Sequence, residues 1–320
     1  MRFFLDICGK MLYSISDKRN TIYQINVLKS RSKLLAAMRP VDHHISVHLS
    51  KYLGTMEEVL KSDILTISSP ILPGLEHIVK TAVEPLQNRK PKLSIILDTL
   101  GGTIEVAERI VSIIRYHYNE VDFLIPDRAM SAGTVFAMSG DRIFMNYFSC
   151  LGPIDPQVYK NGEFVPALSY LNQYERLCKK AEDGELNTVE FELVRQLDLG
   201  ELDQFEQARQ LSHDLLTDWL STYKFKDWDI HSSTGKPVTP EEKKKRAKKI
   251  ASVLSNNERW HSHGRMIPRD ILTSEEIRLK IENIEDVPNL FPTLDNYVGL
   301  LKDYVQRESF PTFVHTREYF

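Results

Sequence analysis

The sequence predicts an α/β protein in which a largely parallel sheet is assembled from βαβ units and is followed by a helical C-terminal region. Short apolar segments alternate with amphipathic segments of helical spacing between residues 41 and 160. Two glycine-containing motifs come directly after two of these apolar segments. Beyond that region, apolar residues recur mainly at helical spacing. Strands that alternate with helices in this way pair in parallel through crossover helices, which is the basis of the fold prediction.

Composition limits the classes of protein to which the chain can belong. It has 320 residues, of which 42% are apolar and 27% are charged, so a sizeable core can form. The net charge of -3 gives no reason to expect general binding to nucleic acid or to an anionic membrane. Cys8, Cys150 and Cys178 form no C-x-x-C pair, and no apolar run reaches the roughly 20 residues that span a bilayer. We therefore expect a cytoplasmic protein without a membrane span.

Three regions are predicted along the chain. Residues 1–40 form an N-terminal arm without an assigned role, residues 41–160 form the α/β core, and residues 161–320 form a mostly helical region that serves in packing, as a lid or in oligomerisation. Within the arm, Ile22 to Arg39 predicts an amphipathic helix. That helix ends before Pro40, because the residue before a proline disfavours the helical conformation.

The start of the core is rich in histidine. His44 to Leu49 alternates in polarity and predicts a half-buried strand. His43, His44 and His48 also invite a metal-binding interpretation. We prefer the surface strand, because no cysteine is near and the spacing matches no familiar set of ligands.

The remaining core elements follow from apolar runs that are broken at proline or glycine. Strands are predicted at residues 63–68, 93–97, 121–125 and 142–145, and helices at 55–62, 75–84 and 104–114. Crossovers between parallel strands are right-handed, so the strands point the same way and their carboxyl ends lie at one edge of the sheet. Both glycine motifs follow strands and therefore lie at that edge, where open α/β sheets place their sites.

The C-terminal region is predicted to be helical and contains one basic run. Helices are predicted at residues 167–181, at 187–223 with a break near Gly200, after a cap at Thr239, at 271–283 and at 294–307. The helix after Thr239 opens into the basic run Lys243–Lys249, and such runs can bind nucleic acid. Acids at the start of a helix followed by bases are, however, typical of a solvated helix face. We prefer this second interpretation and do not expect a nucleic acid partner.

The chemistry of the sequence centres on Ser131, which follows a predicted strand and begins a short helix. A serine hydroxyl is a weak nucleophile at neutral pH, and it needs a base and donors for the developing oxyanion. At a junction between a strand and a helix, the amide of Ala132 can supply one donor with support from the helix dipole. Gly101 and Gly102, after the preceding strand, can turn a second amide toward the same point. We therefore predict that Ser131 is a nucleophile beside an oxyanion hole formed by the diglycine and Ala132.

Four segments between Leu97 and Gln157 are characteristic as a set. They are Leu97-Asp98-Thr99-Leu100-Gly101-Gly102, Pro126-Asp127-Arg128-Ala129-Met130-Ser131-Ala132-Gly133-Thr134, Asp141-Arg142-Ile143-Phe144-Met145 and Leu151-Gly152-Pro153-Ile154-Asp155-Pro156-Gln157. Together they resemble the serine dehydrogenase proteinase family, which has the ClpP/crotonase-like superfold and is related to signal peptide peptidase A. The resemblance implies a ClpP/crotonase-like core, a Ser131 nucleophile, and an oxyanion hole formed by the Gly102 and Ala132 amides. It also implies a homo-oligomer that sequesters its active sites.

The sequence leaves the general base open. In the Clp proteolytic subunit a histidine comes from the strand after the serine helix, but residues 151–156 contain no histidine. A first alternative is Lys179 or Lys180, which would resemble the Ser–Lys dyad of signal peptide peptidases. Such a lysine must be buried to lose its proton near neutral pH, whereas an exposed helix lysine stays charged.

Two further alternatives for the base remain. Asp155, between two prolines, can orient a base or a water molecule, or it can fix the turn through backbone hydrogen bonds. His261 or His263 can act as the base itself, and their local cluster also suggests metal binding but shows no third ligand.

The sequence therefore predicts a serine-type endopeptidase that hydrolyses a peptide or an unfolded protein through an acyl-enzyme. No metal or nucleotide cofactor is expected, and without a P-loop any ATP-driven unfolding would come from another protein. The alternative is a catalytically weak scaffold of the same fold that binds a peptide or a partner protein. The missing histidine is the main support for this alternative.

Overall fold

The computed structural model describes residues 39–155, 157–160, 163–231 and 234–320. Its strands are β1 Asp63–Ser68, β2 Lys92–Asp98, β3 Glu120–Ile125, β4 Arg128–Ala129, β5 Arg142–Met145, β6 Cys150–Leu151, β7 Gln157–Lys160, β8 Glu163–Pro166, β9 Ile267–Pro268, β10 Glu282–Asn283 and β11 Phe313–His315. Its helices are α1 Pro40–Leu60, α2 Leu75–Val83, α3 Ile104–His117, α4 Ala132–Ala137, α5 Ala167–Glu182, α6 Thr188–Arg195, α7 Leu199–Trp219, α8 Pro240–Leu254, α9 Asn257–Trp260, α10 Arg269–Thr273 and α11 Leu290–Glu308. A π-helical turn, Leu220–Lys224, continues α7.

The main sheet has six strands in the order β10-β5-β3-β2-β1-β11. The first five run parallel, and β11 pairs with β1 in the antiparallel direction, with Val314 opposite Ile67. The predicted α/β fold with a largely parallel sheet is therefore confirmed. The carboxyl ends of β2 and β3 lie at one edge, and a small second sheet of β4, β6 and β9 lies beside them.

The strands are buried on both faces, which explains their nearly continuous apolar sequences. In β1, Leu65 and Ile67 belong to the core cluster that also contains α2, α3 and α4, whereas Ile64 belongs to a second cluster with α1 and α11. Successive side chains of a strand point to opposite faces, so one short strand contributes to both clusters. The sheet is thereby held between two helical layers.

The predicted strand from His44 to Leu49 is wrong, because these residues lie within α1. Leu49, Leu53 and Met56 recur at helical spacing and are buried against α11. The short window of alternating residues hid this longer period. No group of three side chains suited to a metal ion occurs in the described ranges. The predicted helix from Ile22 to Arg39 lies, except for its last residue, outside the described residues.

The helix predicted at residues 271–283 is also wrong. The chain leaves helical conformation after Thr273, and Glu282 and Asn283 form β10 beside β5. Ile277 and Leu279 are fully or almost fully buried in the core between these two elements. Tertiary packing of these two side chains and pairing with the sheet outweigh the local capping pattern.

The other helices of the C-terminal region follow the sequence pattern. The break predicted near Gly200 occurs where α6 ends and α7 begins, because Asp198 caps α7 by accepting a hydrogen bond from the Gly200 N–H at 2.8 Å. Thr239 caps α8 in the same way, and α11 covers the last predicted helix. None of the helices in the described ranges combines the length and apolar character needed to cross a bilayer.

Candidate active site

Ser131 occupies a sharp turn between β4 and α4. Its backbone has φ 50° and ψ -118°, a left-handed region in which a non-glycine residue stores about 1–3 kcal/mol of strain. Hydrogen bonds on both sides hold the turn. The Met130 N–H donates to the Thr99 carbonyl at 3.0 Å, and the Thr134 N–H donates to the Ser131 carbonyl at 2.9 Å. The surrounding chain therefore fixes Ser131 in a conformation that it would not adopt alone.

The structure brings the predicted diglycine directly against Ser131. A Cβ atom placed on Gly101, whose φ is +94°, would lie 2.9 Å from the Ser131 Cβ and 2.6 Å from the Met130 carbonyl oxygen. Only glycine fits this approach. The two loops that follow β2 and β3 therefore meet at the serine, as their position at one sheet edge predicts.

Gly102 is held from the other side by Ile71. The Ile71 N–H donates to the Gly101 carbonyl and the Thr103 N–H donates to the Ile71 carbonyl, both at 2.8 Å. A Cβ on Gly102, whose φ is +146°, would lie 2.2 Å from the Ile71 carbonyl oxygen. The diglycine turn is thus fixed between Ile71 and Ser131 by contacts that exclude any side chain.

Two backbone amides next to Ser131 have no acceptor among the described residues. Within the described part of the chain, neither the Gly102 N–H nor the Ala132 N–H donates a hydrogen bond. The Gly101 N–H, by contrast, donates to the Thr99 hydroxyl at 3.1 Å. Unpaired donors beside a serine are what an oxyanion hole requires. The geometry thus favours Gly102 over Gly101 as the partner of Ala132.

The Ser131 hydroxyl is closed off in this structure. The residue exposes only 2% of its surface, and its Oγ donates to the backbone carbonyl of Asp155 at 3.0 Å. A carbonyl oxygen cannot take a proton in catalysis. For the hydroxyl to act as a nucleophile, it would first have to leave the Asp155 carbonyl.

Asp155 is the buried residue that joins this turn to the helical region. Its Oδ1 accepts a hydrogen bond from the Leu168 N–H, in the first turn of α5, at 3.1 Å. Its Oδ2 lies 3.7 Å from the Nδ1 atom of His263. The sequence leaves two roles open for Asp155, and its contacts suit both: the carboxylate binds a backbone N–H, and it also faces an imidazole.

The two lysines predicted as alternative bases lie at the far end of α5. Lys179 is exposed, and Lys180, with a side chain 35% exposed, pairs with Glu190 at 2.5 Å. The hydrogen bond from Lys180 lowers the pKa of Glu190, as expected for a charged ammonium. The burial that a lysine base requires is met by neither side chain. His261, the other histidine candidate, is exposed.

A charged group that sequence reasoning missed anchors the loops around the site. Lys302 of α11 bonds to the carboxylate of Asp127, after β3, and lies 3.2 Å from that of Asp98, at the end of β2. Burial raises the pKa of Asp98 despite this ion pair. No local sequence pattern marks Lys302, because its partners lie far away in the sequence.

A polar cleft of about 550 Å³ reaches the first turn of α5. It lies between α5, α7 and α8, and Leu168, which binds Asp155, forms part of its wall. Charges of both signs line it, among them Arg209, Asp214 and Lys248. The cleft therefore offers hydrogen-bonding groups beside Leu168, whose N–H binds Asp155.

The basic run Lys243–Lys249 belongs to α8, as predicted. The Lys243 ammonium donates to the Lys226 carbonyl at 2.7 Å, and the Arg246 guanidinium bonds to the Ile277 carbonyl. Ala247, in the same helix, is buried. Two of the basic groups thus serve contacts within the chain.

Comparison with known proteins identifies the family of this architecture. The sequence model of the ClpP-like SDH-type serine proteinases matches residues 76–238, about half of the chain. The matched range contains the diglycine, Ser131 and Asp155, and it ends before His263. Among solved structures, ClpP1 from Listeria monocytogenes is similar with a TM-score of 0.35 and 12% sequence identity, covering 70% of this chain and 92% of that chain.

Two curated relatives come from Methanocaldococcus jannaschii. The uncharacterized protein MJ1495 is 30% identical over 159 residues, which cover 45% of this chain and 53% of that protein. The uncharacterized protein MJ0137 is 34% identical over 112 residues, which cover 35% of this chain and 37% of that protein. The chain thus matches about half the length of the first relative and little more than a third of the second.

Proposed function

The chain belongs to the ClpP-like SDH-type serine proteinases, and we propose that it is a serine endopeptidase that cleaves peptide bonds through an acyl-enzyme on Ser131. One observation carries the proposal: a serine in a strained turn lies against a diglycine, with two backbone amides beside it that have no acceptor among the described residues. Strain of this kind persists where the surroundings impose it, and it clusters at active sites.

In the proposed reaction, Ser131 Oγ forms a bond to the carbonyl carbon of the scissile peptide while a base takes its proton. The carbonyl electron pair moves to oxygen, and the amides of Gly102 and Ala132 stabilise the resulting oxyanion. Loss of one such donor typically lowers the rate by about 10²–10³-fold. The amine then leaves, and water hydrolyses the acyl-enzyme to release the acid.

The substrate is proposed to be a peptide or an unfolded protein, because an extended chain can reach a buried serine that a folded surface cannot. The polar cleft between α5, α7 and α8 supports this proposal, since it provides donors and acceptors for a backbone next to Leu168. Its charges of both signs favour neither an acidic nor a basic peptide.

We also propose that the active form is a homo-oligomer. Val189, Phe191, Leu193 and Leu199, on α6 and at the start of α7, are each more than half exposed. Several large apolar side chains exposed within one short segment are a feature of surfaces that pack against another protein. Light scattering tests the proposal: the wild type should exceed the mass of one chain, and Phe191→Glu should lower it, whereas a monomeric wild type would contradict it.

A fluorophosphonate probe tests the nucleophile, because it reacts only with an activated serine. We expect Ser131 to be labelled in the wild type, and labelling and peptide hydrolysis to be lost in Ser131→Ala. Ser139→Ala is the matched control, because Ser139 is equally buried and donates its hydroxyl to the Phe136 carbonyl at 2.7 Å. Labelling that survives in Ser131→Ala would refute the assignment.

The second candidate is a catalytically weak scaffold that binds a peptide or a partner protein. The scaffold is favoured by the buried hydroxyl of Ser131, which donates its hydrogen bond to the Asp155 carbonyl and not to a base. If this candidate is correct, the probe labels no serine in any assembly state, while a fluorescent unstructured peptide still binds the wild type and Ser131→Ala equally. Labelling of Ser131 in any assembly state would exclude it.

A further inference from the structure

The pairing of two very short strands brings a histidine to Asp155, the residue whose backbone carbonyl binds the Ser131 hydroxyl. In the small second sheet, β6 and β9 are antiparallel, with Cys150 opposite Pro268 and Leu151 opposite Ile267. If this register is continued for four residues beyond Leu151, position 155 lies opposite position 263. The segment from Trp260 to Met266, which carries His263, is therefore directed by β9 toward the turn that carries Asp155.

The contact that this register implies is present. His263 Nδ1 lies 3.7 Å from Asp155 Oδ2, with the carboxylate side chain 2% exposed and the imidazole 28% exposed. In serine triads, too, a buried carboxylate lies next to the Nδ1 atom of the histidine. The carboxylate orients the ring, and the exposed side of the ring is accessible to a substrate.

Asp155 contacts both other members of the group. Its backbone carbonyl accepts the Ser131 hydroxyl at 3.0 Å, while its side chain faces His263. The Leu168 N–H holds the same carboxylate from the first turn of α5. Ser131 and His263 are therefore both next to Asp155, one at its backbone carbonyl and the other at its carboxylate.

We propose that His263 is the general base and general acid of the hydrolysis and that Asp155 is its positioning residue. This inference rests on the proposed peptidase function of Ser131. It also places part of the active site beyond residue 238, where the family match ends.

The proton then follows a closed path. On substrate binding, the Ser131 hydroxyl turns from the Asp155 carbonyl to Nε2 of His263, a tightening expected when a free site takes up substrate. Nε2 accepts the proton as the Oγ–carbon bond forms, and the imidazolium returns it to the departing amine as the carbon–nitrogen bond breaks. In the second half, His263 takes a proton from water, and that proton ends on Ser131 Oγ as the acid is released.

Replacement of the histidine tests this inference in the full chain. We expect His263→Ala to lower the rate constant of Ser131 labelling by the fluorophosphonate by about 10²–10⁴-fold, the usual contribution of a general base. Added imidazole should restore part of the rate by occupying the space left by the ring. His261→Ala is the matched control, because His261 is an exposed histidine of the same segment, and its rate should equal that of the wild type.

The pH profile separates a chemical role from a structural one. Wild-type labelling should depend on pH, because only a neutral imidazole can accept the Ser131 proton, and His263→Ala should lack that dependence. Asp155→Asn retains an oxygen for the Leu168 N–H but removes the charge, so we expect a slow rate that imidazole does not rescue. Thermal unfolding of each variant identifies any loss of rate that comes from misfolding.

The outcomes distinguish the two proposals. If the wild type is labelled at Ser131 and folded His263→Ala reacts as fast with an unchanged pH profile, this inference is overturned while the nucleophile stands. If Ser131 of the wild type never reacts, the proposed function itself fails. A slow His263→Ala that imidazole accelerates supports both.

Discussion

Two regions approach the candidate site in different ways. The nucleophile segment, residues 97–134, is a strand, a turn, a helix, a second strand and a second turn in direct succession, and its own backbone hydrogen bonds bring Gly101 to Ser131. The histidine segment, residues 260–268, comes from a distant part of the chain and is held by only two paired residues of β9. Local geometry therefore positions Ser131, the proposed nucleophile, whereas a long-range pairing positions His263, the proposed base.

The largest expected effect comes from breaking the nucleophile segment at Gly102. Gly102→Ala places a methyl group 2.2 Å from the Ile71 carbonyl oxygen at a φ of +146°, and we expect the free energy of unfolding to fall by about 4 kcal/mol or more. Gly299→Ala is the control, because a Cβ there meets nothing within 4 Å in α11; it should gain about 0.5–1 kcal/mol. Denaturant unfolding measures both, and equal stabilities would contradict the close approach.

A somewhat smaller effect is expected from breaking the histidine segment at Ile267. This fully buried side chain pairs with Leu151, so Ile267→Ala should cost about 3 kcal/mol of unfolding free energy. A displaced His263 should also slow labelling of Ser131, since a shift of about 1 Å can lower a rate about 10²-fold. The neighbouring Met266 is 59% exposed, and Met266→Ala should stay within about 0.5 kcal/mol of the wild type. Labelling of Ile267→Ala at the wild-type rate would argue against the delivery of His263 by β9.

The loss of stability in acid should come from a residue outside both segments, so it can be separated from effects on either of them. Burial lowers the pKa of His315, on β11, to about 4, so below pH 6.5 the unfolded chain binds a proton that the folded chain does not. Stability is therefore lost as pH falls from about 6.5 toward 4, by about 2 kcal/mol between pH 7 and pH 5. His315→Gln should flatten this dependence in denaturant unfolding, and the exposed His261→Gln should leave it unchanged. An equal pH dependence in all three proteins would refute this assignment.

The smallest effect is expected from replacing Lys180, which the sequence offers as an alternative general base. Lys180→Met removes a partly exposed ion pair with Glu190, and pairs of this kind contribute little to stability. The labelling rate of Ser131 should stay at the wild-type value, because the ammonium is engaged at the far end of α5. A rate loss of several orders of magnitude in Lys180→Met would instead establish a Ser–Lys dyad and displace His263.

Features that depend on neighbours in the chain could be predicted from the sequence, whereas features that depend on distant contacts could not. The strand–diglycine and strand–serine motifs predict the sheet, the position of the site and the proximity of Gly101 to Ser131, since each depends on neighbours in the chain. The wrong assignments at residues 44–49 and 271–283 share another cause. In both places, contacts with distant elements, α11 and β5, decide the conformation against the local pattern.

The histidine could not be chosen from the sequence for a related reason. His261 and His263 are two residues apart and equally suited as bases, and a two-residue strand such as β9 leaves no periodicity to reveal its register. Only the pairing with β6 shows that His263 and not the exposed His261 faces Asp155. Lys302 was missed for the same reason, because its partners Asp98 and Asp127 are close only in space.

The order of the main sheet also has a consequence for how the protein is made. Its two outermost strands, β10 and β11, are the last to be synthesised, and they flank strands made much earlier. While the nascent chain emerges from the ribosome, β1 and β5 have unpaired backbone groups that can join a neighbouring chain on the same messenger. Residues 282–315 thus cover both edges of the sheet only at the end of synthesis. If translation stalls before these residues are made, the incomplete chain should be prone to aggregation.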